Sequence, residues 1–319
     1  MTALYPLRLA PSWREKIWGS TNLEPLFGPQ DRQIGEVWFS FEQNTVTNGP
    51  WAGETLASLM ARHGAALMGE AGLSNAAGPY FPILVKFLFT SDKLSVQVHP
   101  NDAYARKHEG GPGKTEMWYV LRADPGAAIA IGLTEALSGE ELRRAALSGE
   151  IARFLNWVEV KQGDAIFVPA GTLHSIGPGL ALCEIQQNSD LTYRFYDFGR
   201  LDEQGKPRPL HVDKAVDVTE VAPYDGLQQP VSFIREGMEG ETLAVCDYFA
   251  VERLRWLSHL PYAPDPARMH LLVFLEGSGM LGSEPYRPGD VYLIPAAMER
   301  FEWRPAAPTV ALRAYAPGE

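Results

Sequence analysis

Gly163-Asp164-Ala165-Ile166-Phe167-Val168-Pro169-Ala170 and Gly289-Asp290-Val291-Tyr292-Leu293-Ile294-Pro295-Ala296 share the pattern G-D-x-x-x-(V/I)-P-A. In each, a Gly-Asp turn feeds an apolar strand that proline ends. A strand of aliphatic and aromatic residues precedes each copy, Met117 to Leu121 in the first and Leu271 to Leu275 in the second. Two unrelated turns of common composition would match in the turn alone. The shared order of strand, turn, strand and stop reads as two related β modules.

The rest of the chain agrees. Short β-rich runs such as Phe81 to Phe89 and Leu94 to Val98 alternate with Gly, Pro, Asn and Asp turns, as in a barrel or jelly roll. Leu56, Leu59, Met60 and Leu67 recur at helical spacing, which predicts a helix near 55–68. A second helical stretch, near 138–156, opens at Ser138 with Glu141 as a capping box and restarts at Ser148. Both read as short helical insertions into a mainly β chain.

The G-D-x-x-x-(V/I)-P-A segments resemble the second motif of the cupin superfamily, jelly-roll barrels that often hold a metal in the barrel mouth. After Pro-Ala the copies diverge: the first continues Gly171-Thr172-Leu173-His174, the second Ala297-Met298-Glu299-Arg300. Only the first is expected to bind metal. The expected organisation is a catalytic metal-binding cupin over residues 1–222 and a degenerate second cupin without metal ligands over 223–319.

Composition narrows the function classes. The 319 residues carry 28 basic and 39 acidic side chains, a formal net charge of -11. An acidic chain offers no global attraction for nucleic acid or an anionic membrane, so neither is an expected partner. The charge is uneven: residues 81–122 and 191–214 together sum to +3, whereas 215–319 hold eight basic and fifteen acidic groups, or -7. A small anion therefore has local basic sites to use. The two cysteines, Cys183 and Cys246, form neither a disulfide framework nor a CxxC spacing, which fits a reducing cytoplasm. The longest apolar run, Tyr80 to Phe89, is broken by Lys86 and too short to span a bilayer. Arg8, Pro6 and Pro11 interrupt the start where a signal peptide needs an apolar stretch.

Four residues make a metal constellation. Gln97 and His99 lie one residue apart in Leu94-Ser95-Val96-Gln97-Val98-His99, so in a strand both point to one side. Glu116 opens the next predicted strand, and His174 follows the first Pro-Ala turn. A single strand histidine is more often structural than a ligand, but jelly-roll pairing brings these four together. Two imidazoles, one carboxylate and one amide oxygen suit one Zn²⁺ per chain, with Fe²⁺, Mn²⁺ or Ni²⁺ as substitutes. A divalent ion beside one carboxylate keeps a formal +1 and can stabilise a developing oxyanion or a sugar oxygen.

Beyond the repeat, Lys16-Ile17-Trp18-Gly19, Ile34-Gly35-Glu36-x-Trp38 and Phe81-Pro82-x-Leu84-x-Lys86-x-Leu88 follow in order along the chain. Leu94-Ser95-x-Gln97-x-His99-Pro100, Gly113-Lys114-Thr115-Glu116-x-Trp118-Tyr119 and Pro169-Ala170-Gly171-x-x-His174 come next. Glu184-Ile185-Gln186-Gln187-x-Ser189-Asp190-x-Thr192-Tyr193-Arg194 completes the series. Over roughly residues 16 to 215 this resembles the type I mannose-6-phosphate isomerases (phosphomannose isomerases) in their short bacterial form, members of the cupin superfamily. The resemblance implies a metal-dependent aldose-ketose isomerase of carbohydrate metabolism that interconverts mannose 6-phosphate and fructose 6-phosphate through a cis-enediol. It implies zinc at Gln97, His99, Glu116 and His174, and active-site roles for Arg194, Lys114 and Asp190. Thr115, in place of the longer enzymes' proline, and Val37, in place of a small residue, depart from the pattern without removing a functional group.

Beside a cation, Lys114 is expected to have a lowered pKa and to serve as general acid or base; a plain electrostatic contact to Asp190 or substrate is the alternative. Gly110-Gly111-Pro112-Gly113-Lys114-Thr115 imitates a phosphate-binding loop, but His108 stands where the first glycine belongs and a strand follows. Lys93, Arg200, Lys206 and Arg208 are better phosphate candidates. His63 reads as packing on its helix, and His211 has no assigned chemistry. Two other functions fit a bicupin, a cupin oxygenase and a non-catalytic sugar-binding protein. Gln97 weakens the first, because an amide donates less to iron than an imidazole, and the second leaves Lys114 and Arg194 unexplained.

Overall fold

The computed structural model describes residues 3–75, 81–201, 204–224, 226–235 and 238–318, so Tyr80 of the long apolar run lies outside the described residues. Among the described residues strand far outweighs helix. Its contacts divide it into two units, one of Arg14–Glu36 and Phe87–Gln228, the other of Met1–Trp13, Val37–Lys86 and Gln229–Glu319. Among the described residues no helix is long and apolar enough to cross a membrane.

In the first of these units an antiparallel sheet runs in the order Tyr193–Tyr196, Val96–Val98, His174–Ile176, Ala128–Leu133, Leu155–Glu159. Opposite it, Leu180–Gln187 pairs with Glu116–Ala123, which pairs in turn with Ala165–Val168. Period-two alternation decides which side chains fill the interior. Ile129 and Ile131 join Trp118, Val120, Ile166 and Leu182 in one buried cluster, while Ala130 turns the other way, into a second cluster with Val96 and Val98. The helix Gly139–Ser148 covers that outer face with Leu142, Ala145 and Ala146. Its predicted capping box is formed: Glu141 N–H donates to Ser138 Oγ at 3.3 Å, and Ser138 N–H to Glu141 Oε2 at 2.8 Å. A short helix Ile151–Phe154 follows, after which Leu155–Glu159 returns to the sheet.

The other unit contains a seven-stranded antiparallel sheet, from Leu7–Arg8 through Val291–Ile294, His270–Glu276, Thr309–Tyr315 and Ala250–Trp256 to Met238–Val245 and Val231–Arg235. A four-stranded sheet built on Phe301–Pro305 supplies Trp303 to the same core as Leu254, Leu272, Phe274 and Tyr292. The helical segment Leu56–Asn75 is interrupted at Gly64 and Gly69, whose dihedrals are not helical. His63 stacks on Trp51 with ring centroids 4.5 Å apart, a packing role as its sequence context predicts.

The internal repeat has a matching geometry in both copies. Gly163 and Gly289 both take the left-handed conformation, with φ of 91° and 88°. Each donates to the preceding strand, Gly163 N–H to Val120 O at 2.9 Å and Gly289 N–H to Phe274 O at 2.8 Å. The aspartates bind the turn alike: Asp164 accepts from Lys161 N–H at 2.9 Å and Asp290 from Arg287 N–H at 3.1 Å. Gly-Asp is therefore a structural signature here, set by a positive φ and a carboxylate that closes the turn.

Candidate metal centre

Strand register brings the predicted residues together. His174, first residue of its strand, pairs with Gln97 on one side and Ile131 on the other. Glu116, also first in its strand, pairs with Val168 and Gln186. His99 follows the Val96–Val98 strand at its end. His99, Glu116 and His174 are all buried, and one donor atom from each lies within 4.8 Å of the others.

The donor atoms are spaced as ligands of a single ion. His99 Nε2 lies 3.6 Å from Glu116 Oε2, and His174 Nε2 lies 3.5 Å from Glu116 Oε1. Two ligands at ~2.1 Å from a tetrahedral cation stand about 3.4 Å apart. The tautomers agree. His99 Nδ1 is 2.8 Å from Leu191 O and His174 Nδ1 is 2.9 Å from Thr172 O. A carbonyl only accepts, so each Nδ1 carries the proton and each Nε2 presents a lone pair to the site. Glu116 Oε1 is buried without a hydrogen-bond partner, an expensive arrangement in a dry interior that a cation would relieve. The residues fit a divalent metal. Gln97 lies beside them, its amide nitrogen 3.2 Å from His174 Nε2.

Lys114 comes from the loop before the Glu116 strand. That loop is held by Asp102, whose Oδ1 accepts from Gly113 N–H at 2.8 Å and from Gln187 Nε2 at 2.9 Å. Gly113 allows the close approach: a Cβ there would lie 2.5 Å from the Asn101 carbonyl carbon. A strand follows rather than a helix, so the imitation of a nucleotide loop goes no further than sequence. Lys114 Nζ ion-pairs with Glu116, sits 3.1 Å from His99 Nε2 and 3.6 Å from Glu184 Oε1. The ligand set thus already attracts a cation. The lowering expected of Lys114 beside a cation is opposed by the protein groups around it. Burial pushes the ammonium down, but Glu116, Glu184 and Asp190 outweigh it and hold it above the usual lysine range. Burial raises Glu116 in turn, and the Lys114 ammonium overcomes that and lowers it.

Glu184 is the buried group that motif reading left without a role. It pairs in register with Trp118 and accepts from the Trp118 indole N–H at 3.1 Å. Its signal is a Glu at 184 and a Gln at 186 on one face of the otherwise apolar stretch 180–186. Because Glu184 and Lys114 cancel, a divalent ion with Glu116 still leaves the site at +1.

Asp190 is exposed, and its charge supports the Lys114 ammonium. Arg194 lies directly across from Gln97 on the neighbouring strand. His211 brackets it: Arg194 N–H donates to His211 Nδ1 at 3.1 Å, and His211 N–H donates to Arg194 O at 2.8 Å. Of the phosphate candidates, Arg200 and Arg208 both bind Asp197, at 2.6 Å to Oδ1, while Lys93 Nζ lies 4.2 Å from the Phe198 ring centroid. Burial and the nearby Arg208 charge push Arg194 below its ordinary value. Arg208 also lines a cavity of about 550 Å³ with Lys16, Trp18 and Arg32.

The buried imidazoles make stability depend on pH. Burial, Lys114 and His174 push His99 well below its ordinary 6.5, and burial pushes His174 down against the opposing pull of Glu116. Below that ordinary value the unfolded chain takes up protons that the folded chain refuses, so folding stability falls with falling pH until the folded groups titrate; above it neither state binds them. The metal-free protein is therefore expected to hold a constant urea midpoint from about pH 8 to about 7, then to lose up to ~1.4 kcal/mol per pH unit for each such histidine. A midpoint that stays flat down to about pH 5 would contradict buried neutral imidazoles.

Comparison with known proteins agrees with the geometry. The sequence pattern of the type I phosphomannose isomerase catalytic domain matches residues 6–139. A mannose-6-phosphate isomerase of Streptococcus mutans is 38% identical over 309 residues, covering 93% of this chain and 95% of the relative. Mannose-6-phosphate isomerase ManA of Bacillus subtilis is 38% identical over 307 residues, with the same coverage. Among solved structures, the mannose 6-phosphate isomerase of Bacillus subtilis superposes with a TM-score of 0.86 at 35% identity, over 98% of this chain and 99% of that one. A putative mannosephosphate isomerase from Archaeoglobus fulgidus, at 22% identity and a TM-score of 0.77 over 98% and 97%, shares the fold. With two imidazole lone pairs, a buried carboxylate and a lysine converging in a chain this similar throughout its length, the protein belongs to the type I mannose-6-phosphate isomerase family.

Proposed function

We propose that the protein interconverts mannose 6-phosphate and fructose 6-phosphate, using one Zn²⁺ held by Gln97, His99, Glu116 and His174, in the cytoplasm. The observation that carries this reading is the buried His99–Glu116–His174 donor set with Lys114 beside it. We assign the catalytic module to residues 1–222 and treat 223–319 as its degenerate copy.

The isomerisation moves a proton between C1 and C2 and another between their oxygens, through a cis-enediol. Gln97, His99, Glu116 and His174 would hold a divalent cation, which when bound would supply positive charge against the enediolate oxygens. Lys114, with the Glu116 and Glu184 carboxylates around its ammonium, is poised to donate a proton to a substrate oxygen and to take it back in the reverse direction. Arg194 adds a fixed positive charge on the Gln97 side of the site. Its position is maintained by His211 and by the Pro209 carbonyl, which accepts from Nη1 at 2.9 Å. Trp118, fully buried, packs edge-on against His174 with ring centroids 5.3 Å apart and shields that side of the donor set from water.

Arg208 is the favoured phosphate contact, because it borders both the Arg194 cluster and a cavity. Arg208→Gln is expected to raise KM for mannose 6-phosphate by roughly tenfold or more while kcat stays within about threefold, the loss of one charge-assisted hydrogen bond. Equal falls in kcat and kcat/KM would place Arg208 in the chemistry instead. The function itself is tested by coupling fructose 6-phosphate formation to a dehydrogenase assay; metal-loaded protein that forms none from mannose 6-phosphate would refute it.

A further inference from the structure

The strand register extends the internal repeat to the chemistry of individual side chains. Glu116 pairs with Val168 and Trp118 with Glu184; in the second copy His270 pairs with Ile294 and Leu272 with Arg313. Val168 and Ile294 hold the same place in G-D-x-x-x-(V/I)-P-A. His270 therefore stands where the first copy has Glu116, and Arg313 where it has Glu184. Arg268, two residues before His270, replaces Lys114. Both buried carboxylates of the first site have become a neutral imidazole and a guanidinium, and the third position has stayed cationic.

These three residues line one cavity of about 600 Å³ within their unit, joined by Arg235, Tyr262 and Tyr315. Residues 215–319 are acidic overall, yet three of their eight arginines meet here. Two carboxylates answer them. Glu252, 1% exposed, accepts from Arg313 Nε at 2.8 Å, from Arg235 Nη1 at 3.3 Å and from the Tyr315 hydroxyl at 3.2 Å. Asp265 lies 2.9 Å from Arg268 Nε. Burial, with Arg313 and Arg268 nearby, pushes His270 well below its ordinary range, so it adds no charge, and its Nδ1 lies 2.6 Å from the Tyr262 hydroxyl. Three guanidiniums against two carboxylates leave one positive charge, carried on donors whose planar fork suits phosphate.

We propose that this cavity binds a small phosphorylated metabolite of sugar size, its phosphate held by Arg268, Arg313 and Arg235 and its polyol body against Tyr262 and Tyr315. The volume falls within the range of small-ligand sites, roughly 300 to 1,000 Å³. The acidic surroundings repel extended polyanions and leave only a compact anion able to reach the arginines. Conversion of the Glu116 and Glu184 positions turns a cation site into an anion site on the same scaffold. The inference does not rest on the isomerase reading, since none of these residues belongs to the metal centre.

Hydrogen exchange on the full metal-loaded chain tests it, with inorganic phosphate, a hexose 6-phosphate and gluconate as probes, followed in peptides covering 250–276 and 309–316. Both phosphate probes are expected to slow exchange there, the hexose 6-phosphate at least about tenfold more tightly than inorganic phosphate, a gap of about 1.4 kcal/mol. Arg268→Gln, and Arg235→Gln at the exposed rim where the buried Glu252–Arg313 pair is kept, are each expected to weaken that protection about tenfold or more without changing isomerase kcat. Absence of protection in these peptides overturns the proposal, as does protection undiminished in both variants. Equal affinity for the two phosphate probes, or equal protection by gluconate, overturns the assigned ligand class.

Discussion

Glu116→Gln protein is expected to lose its metal and its turnover together, falling from one ion per chain to a trace and by about a thousandfold or more in kcat. The glutamine is nearly isosteric and keeps the strand start that pairs with Val168 and Gln186. The change therefore removes charge from a site of fixed shape. Of the buried groups at the centre, Glu116 touches both imidazole nitrogens at 3.5 to 3.6 Å and also pairs with Lys114. Without it, two neutral nitrogens and an amide remain beside the mutually cancelling Lys114 and Glu184, a set with no net charge to attract a divalent ion. Breaking one partner of a buried ion pair also costs stability, of order 3–5 kcal/mol. His174→Gln, which spares that pair, serves as the companion variant. Metal content by elemental analysis, beside a circular dichroism spectrum, separates metal loss from unfolding. Full metal occupancy in folded Glu116→Gln protein would remove Glu116 from the ligand set.

Lys114→Met carries the second large effect, and its expected signature is different: turnover falls by about a hundredfold or more while one metal per chain is retained. Methionine preserves the length and apolar stem of lysine in a position only 4% exposed, so the loss is that of the ammonium. If turnover stays within about tenfold of the unmodified enzyme, a proton-transfer role is excluded and Lys114 serves as an electrostatic contact. Metal content carries the discrimination. A fall in metal along with turnover would make Lys114 part of the ligand scaffold rather than of the chemistry.

The parts of the structure that were legible in sequence are those fixed by backbone requirements or by tight spacing. The Gly-Asp turns announced themselves because a positive φ and a turn-closing carboxylate leave few alternatives at Gly163 and Gly289. Gln97 and His99 were readable because strand alternation places them together, and Ser138 with Glu141 because a capping box is local. For Lys114, sequence shows its neighbour in the motif but not Glu184, which arrives from a strand some seventy residues on and raises the ammonium's proton affinity against the lowering expected beside a cation. His211 had no visible partner because its contact, the backbone of Arg194, is created by chain reversal. The substitutions at His270 and Arg313 are intelligible only through register: each is an unremarkable residue in an apolar strand until its pairing identifies the Glu116 and Glu184 positions.

The central claim joins a divalent metal at His99, Glu116 and His174 to sugar-phosphate isomerisation. The direct measurement is metal content and fructose 6-phosphate formation on one preparation, before chelation, after it, and after metal is restored. The account predicts about one divalent ion per chain, turnover of mannose 6-phosphate that disappears as the ion is removed, and recovery in proportion to the metal returned. Undiminished turnover in fully stripped protein, or a metal-replete protein that forms no fructose 6-phosphate, would contradict it.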